Sequence, residues 1–319
     1  MKSKILTLIV ALTCSIHFSF SQVTEGEKKL RTHEADTIVG WKKGAVVTIT
    51  FSQTSLKNWA AGGENSISIN SLMSLFANYK NKNTSWDNSL DVGYGLLRQG
   101  KDADFMKTDD KIDFLSKFGK TAFKNFYWAA LLNFKTQMTD GFNYPNDSVR
   151  ISGLFAPAYL LGAVGMDYKP SEKFTAFLAP VTAKMTFVND QTLADAGAFG
   201  VEAAVFDDLG NITTKGKTSR AEFGGYLRIM FKSEIFKNVS LQSKIDLFSN
   251  YLNNPQNVDV NWETLIALKV NKLITATITT NLLYDDDVDI QWTDKDGIEH
   301  FGPTTQFKEV LGVGISYKF

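Results

Sequence analysis

Few side chains in this 319-residue chain are of types that do chemistry, and their placement is unusual. Histidine occurs at His17, His33 and His300, and cysteine only at Cys14. A Ser–His–Asp triad needs an imidazole beside a nucleophile, and a histidine metal site needs several together. Neither pattern is present. One cysteine excludes an intramolecular disulfide and a cysteine-based zinc site. His300 with Asp285 or Asp287 is the single acid–imidazole combination on which a hydrolase reading can rest. Carboxylates crowd Asp285–Asp289 and Asp294–Asp296. Asp285, Asp287, Asp294 and Asp296 are oxygen ligands of the kind calcium takes, but their spacing is not that of an EF-hand. A solvated acidic loop is the plainer reading. Lysine plus arginine equals aspartate plus glutamate at 34 each, so no basic excess points to nucleic acid. No motif implies a cofactor, and the expectation is a non-enzyme.

The elements that position these groups follow from a period of two. From Trp86, the residues Trp86, Asn88, Leu90, Val92, Tyr94 and Leu96 share one face, while Asp87, Ser89, Asp91, Gly93 and Gly95 share the other. Alternation over ten or more residues is a long strand with one apolar and one polar face. Crossing a bilayer takes about nine to eleven residues of strand. Twelve such stretches are predicted, at 44–53, 66–79, 85–98, 109–118, 126–137, 150–168, 174–188, 220–232, 238–250, 258–270, 273–285 and 305–319. The sixth is the least regular, with Phe155, Tyr159 and Leu161 on its polar face and Pro157 inside it. Connections after even-numbered strands are short, and those after odd-numbered strands are mostly long. The apolar parity sorts aromatics to both strand ends, Trp86, Phe118, Trp128 and Phe231 at one and Phe51, Phe223, Trp262 and Phe307 at the other. Short turns opposite long loops, with two aromatic belts, are the pattern of an outer-membrane barrel. The expected fold is all-β, a membrane-spanning antiparallel up-and-down β-barrel of about 12 strands.

The N-terminus is read as an export signal. Lys2 and Lys4 precede the apolar run Ile5–Leu12, and Ser19-Phe20-Ser21 offers small residues for cleavage. The expected organisation is a signal peptide at 1–21, a polar periplasmic tail at 22–43 and the barrel at 44–319. The location implied is the outer membrane of a Gram-negative cell. The last strand ends on Tyr317 and Phe319, similar to the C-terminal signal read by the barrel-assembly machinery.

The first loop, Ser55-Leu56-Lys57-Asn58-Trp59-Ala60-Ala61-Gly62-Gly63-Glu64-Asn65, resembles the opening motif of an uncharacterised Bacteroidota outer-membrane barrel family, domain of unknown function 3078. Trp41-Lys42-Lys43-Gly44 and Leu282-Leu283-Tyr284-Asp285-Asp286-Asp287 also resemble it. The resemblance extends over roughly residues 35–319. It implies an outer-membrane location and no activity, so no site residue is carried over. Trp59, Gly62, Gly63 and Glu64 of this loop are candidates for a partner contact or for folding into the barrel mouth.

With the apolar parity toward lipid, the other parity lines the lumen. Its acids are Asp87, Asp91, Asp113, Glu222, Asp246, Asp259 and Glu263. Its bases are Lys111, Lys117, Lys135, Lys184, Arg228, Lys244 and Lys308. A single-sign lining would suggest ion selectivity. A balanced one suggests ion pairing across the lumen or a weakly selective pore. Twelve strands lie between barrels of about eight, which side chains fill, and porins of about sixteen, which hold water. The longest loop, 189–219, is alanine-rich over Thr192–Phe206 and suits a short helix acting as lid or plug. Three functions stay open. The favoured one is a small-solute channel or transport pore of unknown substrate. The alternative is a non-conducting structural or assembly partner of other surface proteins, and a barrel hydrolase stands behind both. The expected partners are outer-membrane lipid, the barrel-assembly machinery and an unknown small solute or surface protein.

Overall fold

The computed structural model describes residues 39–56, 64–100, 103–144, 147–171, 173–271, 274–294 and 297–318. Twelve antiparallel strands close into one barrel. They are β1 (Gly40–Thr54), β2 (Ser66–Lys80), β3 (Thr84–Gln99), β4 (Met106–Phe123), β5 (Phe126–Thr136) and β6 (Ala158–Ser171), then β7 (Phe174–Phe187), β8 (Ser219–Phe236), β9 (Val239–Asn250), β10 (Val258–Lys269), β11 (Ile274–Tyr284) and β12 (Gln306–Lys318). Each strand pairs with its neighbours in sequence, and β12 returns to β1. Every strand has at least 11 residues, which at about 3.3 Å per residue is enough to cross a bilayer at the usual tilt.

The outer face is apolar, as the alternation requires. Trp86, Phe118, Trp128 and Phe231 are exposed near the short turns, and Phe51, Phe223, Trp262 and Phe307 near the long loops. Val164, Leu178, Val181, Leu311 and Val313 are exposed between them. Trp41 lies 5.4 Å from Tyr79 and 5.7 Å from Trp86, ring to ring, adding to the belt at the short-turn end. In water such a surface would be an aggregation liability, whereas in a bilayer it is the solvent-matched face.

Three features depart from the sequence reading. The first strand begins at Gly40, so Trp41–Lys43 belong to the barrel and not to the tail. The sixth strand begins at Ala158 and not near residue 150. Arg150–Ser152 peels away and pairs with Gly141–Phe142 in a separate hairpin. Pro157, which lacks the N–H a ladder needs, stands at the point of departure.

The third difference is internal. Along β7, Leu178 and Val181 are both outward, three residues apart. Opposite them, Gly224 pairs with Thr182 but Tyr226 with Ala179, and Val164 pairs with Val181 but Met166 with Leu178. One extra residue is therefore accommodated at Ala179–Pro180, as in a β-bulge. Gly165 lies opposite, and a Cβ there would collide with the Leu178 carbonyl. Beyond the bulge the parity is inverted. Phe177, which uniform alternation from Phe187 would turn to lipid, is instead 1% exposed and packs inside with Leu131, Tyr226 and Phe248.

Among the described residues the closing seam is the shortest of the barrel's strand pairings. Among the described residues β1 meets β12 from Val46↔Lys318 to Thr50↔Gly314, whereas β1 and β2 pair along their full lengths. Among the described residues the connections after even-numbered strands are short turns. Two of them place Asn125 and Asn238 at φ 64°, a left-handed conformation that asparagine tolerates. The long connections carry structure of their own. Residues 188–218 hold helix α1 (Gln191–Asp195), a 3-10 turn at Ala198–Gly200 and a hairpin pairing Val205–Phe206 with Ile212–Thr214. Ile290–Thr293 pairs with Glu299–Gly302 in the last loop.

Candidate functional site

The lumen is where the chain gathers its charged side chains. At the short-turn end, Lys117 donates to Asp167 at 2.6 Å, and Lys169 lies 3.1 Å from the same carboxylate and 3.7 Å from Asp87. These residues come from β3, β4 and β6. The Lys117 ammonium also stands 6.0 Å over the Phe177 ring, within cation–π range.

At mid-height, Arg228 and Asp246 are direct register partners on β8 and β9. The Arg228 Nε and Nη2 donate to the two Asp246 oxygens at 2.5 and 2.8 Å, a bidentate pair. The Tyr226 hydroxyl donates to the same carboxylate at 2.8 Å. Nearby, Glu263 of β10 accepts from Lys244 at 2.9 Å and faces Lys135 of β5 at 4.0 Å. Lys135 also lies 3.7 Å from Asp113, which accepts from Asn133 at 2.6 Å. β5 and β10 are on different walls, so this chain of contacts crosses the barrel. A second chord, Lys308 of β12 to Asp109 of β4 at 2.7 Å, crosses elsewhere.

At the long-loop end, Lys184 of β7 contacts Asp259 at 2.6 Å, Asp285 at 3.3 Å and Glu222 at 3.4 Å. Arg220 contacts Glu222 at 2.8 Å and Asp287. An apolar cluster of Ala129, Leu131, Ala163, Phe177, Ala179, Tyr226 and Phe248 lies beneath, and the Lys184 ammonium stands 5.1 Å over the Phe248 ring.

The structure thus brings together most of the expected lumen residues: Asp87, Lys117, Lys135, Asp113, Lys184, Glu222, Arg228, Asp246, Lys244, Glu263, Asp259 and Lys308. Asp91 lies on the same parity, register-opposed to Asp113. Lys111 lies beside Gly93, where a Cβ would come within 3.3 Å of its stem, so that glycine serves to make room. Sequence reading missed Asp167, Lys169, Arg220 and, at the start of β4, Asp109. The first two fall on a strand whose alternation is blurred by apolar residues on both faces, and parity with Leu161 was the available signal.

The three described carboxylates among the calcium candidates, Asp285, Asp287 and Asp294, have different partners. Asp285 and Asp287 turn to Lys184 and Arg220. Asp294 receives His300 Nε2 at 2.9 Å and the Ile298 N–H, and Asp296 lies outside the described residues. Among the described residues no group of three or more metal-ligating side chains forms. His300 stacks on Trp292 at 4.4 Å and pairs with Asp294, not with Asp285 or Asp287. Trp59, Gly62, Gly63 and Phe319 also lie outside the described residues. The Tyr317 backbone pairs with Val47.

The loops over the mouth are folded onto it. Leu193, Ala194 and Val201 pack with Ala156 and Val188 in a buried cluster. Asp190 caps α1 by accepting from the Leu193 N–H at 3.1 Å, and Arg150 reaches Asp190 from the preceding long loop. At the tip, the side chain of Asn211 donates to Asp207 and holds its carboxyl below the ordinary value.

This architecture is that of a closed antiparallel β-barrel with a lipid-type exterior and an ion-paired interior. Within it, residues 51–142 match the model of a protein family of unknown function, DUF3078. The match takes in the first loop, Ser55–Asn65. Trp41–Gly44 and Leu282–Asp287 lie outside it, so the likeness is narrower than the 35–319 expected. No curated protein matches significantly. Among solved structures, the chain is similar to the translocator domain of the autotransporter NalP from Neisseria meningitidis, at 10% identity over 93% of each chain with a TM-score of 0.34. It is also similar to the COG4313 outer membrane channel from Pseudomonas putida F1, at 11% identity over 89% of this chain and 97% of that one, TM-score 0.40. The ferric-catecholate import receptor Fiu of Escherichia coli K12 matches at 9% identity over 87% of this chain and 52% of that one, TM-score 0.30. The fold of the present chain rests on its own strand register.

Proposed function

We propose that the protein is an outer-membrane β-barrel, closed to free solute flow at rest, that serves as a structural or assembly partner through its long loops. The observation that carries this reading is the ionic chord Asp113–Lys135–Glu263–Lys244, which ties β4 and β5 to β9 and β10 across the lumen. These contacts narrow any hydrated path along the lumen. The exposed aromatic belts support residence in lipid, and the long loops then face outside the cell, with the short turns in the periplasm. No activity is assigned: His300 pairs with Asp294 and stacks on Trp292.

The decisive experiment is planar-bilayer recording on purified, refolded protein, with a gel mobility shift between unboiled and boiled samples confirming the folded barrel. Electrical silence is expected. Steady unitary currents would instead establish the second reading, a small-solute channel. That reading has one observation in its favour. The Lys135–Glu263 contact is the loosest of the chord at 4.0 Å, and its side chains are 28% and 31% exposed.

A further inference from the structure

The base of the long loop 188–218 is anchored by the Asn189 N–H to the Phe155 carbonyl, by Arg150 to Asp190 and by packing on Ala156, and its far side is tied to the barrel mouth by an arginine that touches three separate elements. Arg220 stands on the lumen parity at the start of β8, two residues from Glu222. Its Nη2 lies 2.8 Å from Glu222 on the same strand and also contacts Asp287, just beyond β11. Its Nη1 donates to the Gly200 carbonyl in the loop at 3.2 Å. β8 and β11 are separated by two strands, so the contact spans part of the opening, and Gly200 is seated on it. The seat is tight. Gly200 has φ +77°, and a Cβ there would lie 2.6 Å from Arg220 Nη1 and 2.7 Å from the Asp287 carbonyl oxygen.

The loop so held is a folded unit. The Asp195 carboxylate accepts from the Gly216 N–H at 2.7 Å, and the Asp195 carbonyl accepts from the Ala204 N–H at 2.9 Å. Gln191 donates to the Gly216 carbonyl at 3.0 Å. Leu193, Ala194 and Val201 pack with Val188 at the loop's base and with Ala156 of the preceding loop in a buried cluster. A unit with its own contacts can swing about its anchored base when its contact at Gly200 is released. Guanidinium suits this role because its planar fork offers donors in several directions at once.

We propose that Arg220 is a latch holding loop 188–218 as a lid across the mouth, and that its release uncovers the long-loop entrance to the lumen. The proposal rests on the reading of the lumen as closed at rest, to which it adds the element that closes this end. In the closed state the fork donates to Gly200 and Asp287 and stands as an ion pair beside Glu222, so loss of the guanidinium loosens two loops at once while the barrel ladder is untouched.

The test is amide hydrogen exchange on the full folded barrel in detergent, read by mass spectrometry over residues 191–204, with the β2–β3 pairing as internal reference. In Arg220→Ala, exchange over 191–204 is expected to rise at least tenfold with the reference unchanged. Arg220→Lys keeps a charge beside Glu222 but replaces the spread planar fork with a single nitrogen, and is expected to loosen the same segment. Gly200→Ala attacks the seat from the loop side without touching the barrel wall, and keeps the proposal testable if the arginine variants do not fold. Unchanged exchange over 191–204 in the folded variants overturns the latch. Bilayer recording separates the two ideas: steady current through the wild type overturns the closed-lumen reading, while faster exchange in the variants supports the latch whatever the current.

Discussion

The Arg228–Asp246 pair measures how dry the lumen is. Both residues are nearly buried, at 6% and 8% exposure. The guanidinium makes two hydrogen bonds to the carboxylate, and Tyr226 adds a third. In Asp246→Ala the guanidinium is left in place without its partner. Inside an occluded lumen, an uncompensated buried charge costs about 3–5 kcal/mol. In a water-filled pore the same pair would behave as a solvated salt bridge, worth about 0–1 kcal/mol. The two cases differ by at least about 2 kcal/mol, roughly thirtyfold in the unfolding equilibrium. Urea unfolding of the refolded barrel in lipid vesicles, followed by tryptophan fluorescence and by gel mobility, resolves that difference. The double variant Arg228→Leu with Asp246→Leu is expected to recover most of the loss, because it buries no charge. A cost below about 1 kcal/mol for Asp246→Ala would show that water reaches the pair, and the reasoning from burial would fail.

Three further outcomes are expected. Val164→Arg, on the lipid face of β6, should cost about 2–4 kcal/mol near the bilayer midplane and lower the yield of heat-modifiable barrel, and normal assembly of this variant would refute the facing assigned to β6. Phe177→Ala should destabilise by about 3–5 kcal/mol through the cavity it leaves, while Leu178→Ala on the lipid side should cost clearly less in the same unfolding assay; the reverse order would place the bulge wrongly. At the seam, Ile49→Cys with Ile315→Cys replaces register partners and should oxidise readily to a disulfide, whereas Gln53→Cys with Leu311→Cys, above the last pair, should not. Efficient cross-linking of the upper pair would mean that the seam closes further than its register indicates.

Much of this molecule is legible in the order of its residues, for a physical reason. A barrel wall one residue thick, with lipid on one side and lumen on the other, writes its orientation into every second position. Alternation alone therefore located β2, β3, β9 and β10 to within a residue or two, and the parity rule put Asp87, Asp113, Lys135, Glu222, Arg228 and Asp246 on the inner face. The match over residues 51–142 accords with the motif at Ser55–Asn65. Parity cannot register an inserted residue, so the inversion at Ala179–Pro180 and the inward turn of Phe177 emerged only from the pairing of three strands. Nor can it say which charges meet. Seven acids and seven bases on one parity suit an open, neutral pore as well as a bridged one. Only closure of the sheet brings Lys135 of β5 toward Glu263 of β10, Lys308 of β12 onto Asp109 of β4, and Arg220 under Gly200. Those contacts join residues far apart in the chain, and their distances depend on the barrel's curvature and on how its loops fold back, neither of which any local pattern contains.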